Sequence, residues 1–243
     1  MDKFGKNGME NIMKDLNVAC IILARGGSKG IPNKNIFNVG GSPLITWSIR
    51  QALASDLLKH SVYVSSDSDV ILDIATAYGA IAIKRPIELS GDEASSESAL
   101  IHAVDKIEKE RGKLDYVVFL QPTSPIRNKD DVSNALNKII QSNSDSLLSV
   151  HPIQDFFIWT FQKGEYISEN FDYKHRKRRQ DIETKYLENG SIYIFRPEIL
   201  RKENNRLGGK IEVYEMDKIH SLQIDNLDEM YLAEYFLRNN YAY

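Results

Sequence analysis

The chain is expected to fold as an α/β protein, a mostly parallel sheet with helices on both faces. Two observations predict this. Short runs rich in Val, Ile and other β-formers alternate along the chain with amphipathic stretches of about 10 to 15 residues, the pattern of βαβ units. The 243 residues are 42% hydrophobic, enough to bury a substantial core in one large domain.

The elements follow in order. VACIIL, from Val18, is a buried strand, SPLITWSIRQALA an amphipathic helix, and HSVYVSS a second strand ending at Asp67. The alternation continues with DVILDIATAYG as helix, AIAIK as strand, ESALIHAVDKIEKER as helix, DYVVFLQ as strand, DVSNALNKIIQ as helix and DSLLSV as strand. After His151 the rhythm breaks: FFIWTF, the turn QKGE and YIS predict a hairpin, followed by the charged stretch FDYKHRKRRQDIETKY. Residues 152–187 are therefore expected to form an inserted arm. SIYIF then resumes as strand, Pro197 to Arg201 as helix and KIEVYEM as strand. A closing helix starts near Leu227, where Asn226 and Glu229 have capping-box spacing. Residues 1–17 are polar and weakly patterned and are expected to be a flexible extension, leaving 18–243 as a single domain.

Composition excludes several classes. A formal charge of −3 does not supply the positive field of a general nucleic-acid or membrane-surface binder. KHRKRR at 174–179 is basic, but no aromatic stacking platform accompanies it, so neither a nucleic-acid nor a membrane partner is expected. The single Cys20 cannot form an internal disulfide and sits in an apolar strand. No stretch reaches the roughly 18 to 20 apolar residues that span a bilayer, and the first residues lack a signal-peptide core, so a cytoplasmic location is expected. His60, His102, His151, His175 and His220 show no metal-ligand spacing.

The loop after the first strand carries the chemistry. In ARGGSKGIPNKN, Gly26, Gly27 and Gly30 allow close backbone approach, so N–H groups can face phosphate oxygens, and Arg25, Lys29 and Lys34 supply charge. The loop fits neither G-x-x-x-x-G-K-[ST] nor G-x-G-x-x-G, which argues against a P-loop ATPase or a dinucleotide dehydrogenase. DEASSES reads as a helix cap and QPTSPIR as a turn stiffened by two prolines.

Taken together, ARGGSKGIPNKN, RPIELSGDEASS at 85–96 and QPTSPIR at 121–127 resemble, in order and spacing, the cytidylyltransferases that activate sialic acids and related nine-carbon ulosonic acids as CMP-sugars. The resemblance covers the chain from about Val18 to the last helix. It implies a Rossmann-like fold, a homodimer, CTP as substrate and Mg2+, or Mn2+ in its place. The reaction it implies is attack of the anomeric hydroxyl of the sugar acid on the α-phosphorus of CTP, with pyrophosphate leaving.

By the same resemblance, Ala24, Arg25, Gly26, Gly27, Ser28 and Lys29 would hold the triphosphate, with Arg25 and Lys29 as catalytic cations and Lys34 and Asn35 in support. Arg85, Ala94, Ser95 and Ser96 would surround cytosine and ribose. Gln121, Thr123 and Ser124 would face the sugar, with Arg127 reaching an anion or a capping position. Arg179 would pair with the sugar carboxylate, which suits a planar guanidinium. Asn189 and Tyr193 would contact substrate, and the arm would reach across a dimer.

One departure stands out. The family commonly presents D-I-D before its last helix, where this chain has Gln223-Ile224-Asp225. Only Asp225 is left as metal ligand, and strand periodicity would put residues 223 and 225 on one face. Asp228 is an alternative ligand, although its place in the first helical turn is also explained by the helix dipole. The alternatives weighed are a CMP-Kdo-type synthetase acting on an eight-carbon acid and a non-catalytic nucleotide-binding homologue.

Overall fold

The computed structural model describes residues 16–27, 30–91, 93–153 and 157–239. The proposed extension therefore lies almost wholly outside the described residues. Its last residue, Asn17, is tied to the fold: its backbone N–H donates to Asp115 Oδ2 at 2.8 Å and its side chain to the Lys113 carbonyl at 2.9 Å.

Strand β1 (Val18–Leu23) lies in a seven-stranded sheet with β4 (Val62–Ser66), β5 (Ile81–Lys84), β6 (Tyr116–Leu120), β7 (Ser146–Ile153), β10 (Lys185–Phe195) and β11 (Ile211–Glu215), in the order β11-β7-β10-β6-β1-β4-β5. Only β10 runs antiparallel to its neighbours. The expected mostly parallel sheet is present. Short strands β2 (Asn38–Val39) and β3 (Ser42–Pro43) pair beside the first loop, and β8 (Trp159–Gln162) pairs with β9 (Glu165–Ser168) as the expected hairpin.

Period-two alternation explains why helices cover both faces. Cys20, Ile22, Val64, Val118 and Ile194 point to one side, where they pack on α1 (Leu44–Leu53), α2 (Asp69–Ala77) and α4 (Asp131–Ser142). Ala19, Ile21, Tyr63, Val117, Phe119 and Phe195 point to the other, onto α3 (Ser96–Arg111) and α5 (Pro197–Glu203). A third cluster of Ile31, Leu44, Trp47, Ile126 and Ile224 is closed by Met230, Ala233 and Leu237 of α6 (Leu227–Arg238). That helix begins with the capping box expected at Asn226 and Glu229. Burial pushes the Cys20 thiol up to about 12, so it behaves as a small apolar side chain.

Two local features differ from the sequence reading. Strand β10 starts at Lys185 and not at Ser191, because a bulge at Asn189–Gly190, with Gly190 at φ +65°, lets pairing with β7 resume out to Ile153. Residues 222–225 lie in no strand, so Gln223 and Asp225 do not follow sheet periodicity. The β8–β9 turn places Lys163 (φ +51°) and Gly164 (φ +87°) in the left-handed region, the twist that two-residue hairpins require.

Candidate active site

In an open parallel sheet the strand order reverses beside the first strand, and the crevice there, at the carboxyl ends, is where ligands bind. β1 lies between β4 and β6, and a cavity of about 500 Å³ opens at that end. Leu23, Arg25, Gly30, Lys34 and Asn35 line it from the β1 side, and Arg85 with Leu89, Ser90 and Gly91 from the β5 side. Ala94, Ser95 and Ser96 contribute from the start of α3, Phe119 to Thr123 supply Phe119, Gln121, Pro122 and Thr123, and Asp225 closes the rim. Three segments far apart in sequence, each expected to bind nucleotide or sugar, therefore share one crevice.

The first loop is held by its neighbours. Asn35 Nδ2 donates to the Arg25 carbonyl at 3.0 Å, and the Gly26 N–H donates to Asp67 Oδ1 at 2.9 Å. Gly30 is needed for space, since a Cβ there would lie 2.6 Å from the Asp225 carbonyl oxygen; at Gly26 a Cβ would be in tight contact, 3.1 Å from Ser68 Cβ. The Gly26 N–H is thus engaged internally, which differs from an arrangement in which every glycine N–H of the loop faces the ligand. Gly27 and Ala24 do not line the cavity, Ala24 being buried under it. Ser28 and Lys29 lie outside the described residues.

Arg85 is buried, with Nη2 4.0 Å from Asp67 Oδ1 and Nε unbonded. Burial lowers its pKa, Asp67 opposes that shift and Arg25 adds to it. Two guanidiniums close enough to repel line one cavity, an arrangement suited to an anion. Asp67 was missed in the sequence, yet its place at the carboxyl end of β4 is the signal that would have found it. Ser95 caps α3, accepting from the Ser98 N–H at 3.1 Å, so the 16-residue helix turns its N-terminus to the cavity. The expected cap is present, and the same segment lines the cavity.

Lys34 Nζ donates to the Ile224 carbonyl at 2.7 Å and to Asp225 Oδ1 at 3.0 Å, tying the rim to the first loop. The Asp225 side chain is 68% exposed, and its Oδ2 has no bond among the described residues. Gln223 does not stand beside it as a ligand: its Nε2 donates to the Asn189 carbonyl at 2.8 Å, across the open face of Gly190. Among the described residues no group of three or more His, Cys, Asp or Glu could hold a metal. One exposed carboxylate at the rim of an anion cavity fits Mg2+, which takes one or two carboxylates and fills its shell with waters and phosphate oxygens. Asp228 does not line the cavity.

Four expected contacts are not in the cavity wall. Ser124 is fully buried with Oγ unbonded. Arg127 is fully buried too and reaches no solvent-borne anion. Asn189 is engaged in the interior, its Oδ1 accepting from Ser149 Oγ and from the Ser191 N–H. Tyr193 stacks on Phe119 with centroids 5.8 Å apart, and its hydroxyl donates to Glu188. Burial, reinforced by that bond, raises the Tyr193 pKa, so it stays a neutral donor. Arg179 sits in a short turn of the arm, and its side chain is not among the described atoms.

The sequence matches the cytidylyltransferase family over residues 19–241. It is 35% identical over 227 residues to N-acylneuraminate cytidylyltransferase A of Danio rerio, covering 92% of this chain and 51% of that protein, so the chain spans about half the length of that relative. It is 34% identical over 236 residues to pseudaminic acid cytidylyltransferase of Campylobacter jejuni, covering 94% of this chain and 98% of that one. Among solved structures, CMP:2-keto-3-deoxy-manno-octonic acid synthetase complexed with CTP superposes with a TM-score of 0.68 at 16% identity, over 92% of this chain and 99% of that one. The 4-diphosphocytidyl-2C-methyl-D-erythritol synthase of Anaerococcus prevotii gives 0.67 at 10%, over 94% and 99%. At these identities the structures speak for the fold alone. With the family match across nearly the whole chain and the three motif segments meeting in one crevice, the chain belongs to the cytidylyltransferase family.

Proposed function

We propose that this chain transfers CMP from CTP to the anomeric hydroxyl of a nine-carbon, sialic-acid-like ulosonic acid and releases pyrophosphate. The observation that carries the reading is that Arg25, Arg85 and the α3 N-terminus line one crevice together with Gln121 and Thr123, cationic and polar groups suited to a nucleotide and to a sugar. Two relatives with about a third of their residues identical are named for N-acylneuraminate and pseudaminic acid, which supports a nine-carbon acceptor over an eight-carbon one.

Phosphoryl transfer of this kind needs placement and charge neutralisation more than covalent help from the protein. Arg25, with Lys29 from the same loop, neutralises charge on the triphosphate, and Lys34 fixes the loop relative to Asp225. Arg85 and the segment Ala94–Ser96 hold the base and ribose. Gln121 and Thr123 orient the acceptor so that its hydroxyl oxygen faces the α-phosphorus in line with the leaving pyrophosphate. Asp225 would hold Mg2+, whose chemistry when bound is to neutralise phosphate oxygens. The hydroxyl proton leaves with the attack, to solvent or to a phosphate oxygen.

Residues 18–243 act as one transferase domain with 152–187 as a dimerisation arm. Trp159, Phe161, Tyr166, Ile167 and Tyr186 of that arm are exposed, a set of apolar side chains that a second copy would cover. Arg179 would then act in the partner's pocket. Among the described residues no helix is long and apolar enough to cross a membrane, which is compatible with a cytoplasmic enzyme.

The test is to incubate the chain with CTP, Mg2+ and N-acetylneuraminic, legionaminic, pseudaminic or Kdo acid and to seek the CMP-sugar by mass spectrometry. A CMP adduct of a nine-carbon acid supports the reading. An adduct of Kdo alone, or none, refutes it.

A further inference from the structure

Arg127 has no part in the mechanism above, yet it is the largest fully buried side chain among the described residues. A guanidinium taken out of water normally needs a carboxylate. Here no carboxylate forms an ion pair with it among the described residues, and Asp131 acts only from a distance. Burial lowers its pKa to about 10, so it is still charged at neutral pH. Its partners are neutral: Nη1 donates to Ser48 Oγ at 3.1 Å and Gln51 Oε1 at 2.8 Å, Nη2 to the carbonyls of Gln121 at 3.0 Å and Ser191 at 2.8 Å.

The geometry of those acceptors shows what the side chain does. Gln121 opens the loop that walls the cavity. The same loop is held at its other end by Gln51, whose Nε2 donates to the Pro125 carbonyl at 2.8 Å. Ser191 follows Gly190, whose open face looks onto the amides of Gln223 and Gln121, so the turn and the loop meet across the glycine. One fork of Arg127 thus adds a side-chain bridge where β6 and β10, paired up to Leu120 and Ile192, pass into the loop and the turn, and the other fork pins them to helix α1.

We propose that Arg127 is a positioning residue for the sugar acid, setting the place of Gln121 relative to the Gly190 turn through the carbonyls of Gln121 and Ser191. The proposal deepens the functional reading above and rests on it. It concerns the acceptor only, because the nucleotide wall at Arg85 and Ser95 is held by other contacts.

The experiment is steady-state kinetics on the full chain with CTP and whichever of N-acetylneuraminic or pseudaminic acid the wild type turns over. Arg127→Lys keeps the charge and loses the fork. It should raise KM for the acid at least tenfold and leave KM for CTP within twofold. Ser48→Ala removes one strut and should raise the acid KM about threefold, so it carries the test if Arg127→Lys does not fold. Ile139→Ala, on the core face of helix α4 and away from the cavity wall, should lower stability without separating the two KM values. An unchanged acid KM in both strut variants, or a parallel rise in both KM values, would overturn the proposal. A wild type inactive on both acids and on legionaminic acid would refute the functional reading and not the strap. The strap is read separately by hydrogen exchange in 189–192: Ser48 also donates directly to the Gln121 carbonyl at 3.3 Å, so exchange within 121–127 does not discriminate, but amides of 189–192 exchange faster in Ser48→Ala if Arg127 joins the segments, and at the wild-type rate if it does not.

Discussion

The cavity wall and the arm treat their side chains in opposite ways. Around Arg25, Arg85 and Ser95 the functional groups sit at strand and helix ends, backed by the sheet. Each is fixed by a short list of partners: Asn35 on the Arg25 carbonyl, Asp67 beside Arg85, Ser95 on the Ser98 N–H. In the arm, Trp159, Phe161, Tyr166 and Ile167 stand in solvent, and the two strands β8 and β9 pair only with each other. An isolated two-stranded hairpin is marginal in water. A wall built on the sheet is preorganised by the fold, whereas the hairpin is held by its own pairing and by contacts within the arm, such as Trp159 on Phe171 and Tyr173.

Breaking the wall should therefore cost activity, and breaking the arm should cost assembly. The largest effect is expected at the rim: Asp225→Asn should lower kcat/KM by about a hundredfold, about 2.7 kcal/mol of transition-state stabilisation, and raise the Mg2+ concentration needed for half-maximal rate. If Mg2+ dependence stays the same, Asp225 does not hold the ion. Lys29→Ala should lower kcat/KM by at least tenfold, about 1.4 kcal/mol, and an unchanged value would remove Lys29 from the mechanism. On the arm, the double change Phe161→Ser with Tyr166→Ser should move the chain from dimer to monomer in sedimentation velocity with the core still folded; a wild type that is already monomeric would end the comparison. The smallest effect is at the helix end, where Ser95→Ala should lower thermal stability by about 1 kcal/mol through the lost cap and raise KM for CTP a fewfold. Loss of stability alone would make Ser95 a cap and nothing more.

What the sequence discloses follows the same division. VACIIL, the capping box at Asn226 and the Ser95 cap are local patterns, so propensity and spacing reveal them directly. The meeting of the first loop, the 85–96 segment and QPTSPIR is legible because each leaves the carboxyl end of a strand or opens a helix. Contacts that depend on the third dimension were hidden. Nothing in QPTSPIR says that Arg127 turns inward to bind the Ser191 carbonyl, or that Ser124 is buried. Gln223 read as a lost carboxylate, yet its amide is engaged by the Asn189 carbonyl, a partner 34 residues away. Tyr193 read as a substrate contact, and the structure packs it behind Phe119, which is itself in the wall. The extension of β10 beyond Gly190 depends on a bulge, which a single glycine in ENG does not distinguish from a turn.

The most direct measurement is steady-state pyrophosphate release with Mg2+, comparing CTP, UTP, ATP and GTP against sialic, legionaminic, pseudaminic and Kdo-type acids. The account predicts turnover with CTP and a nine-carbon acid, abolished by chelation of the metal. CTP binding without turnover on any acid, or turnover that is indifferent to the base, would contradict it.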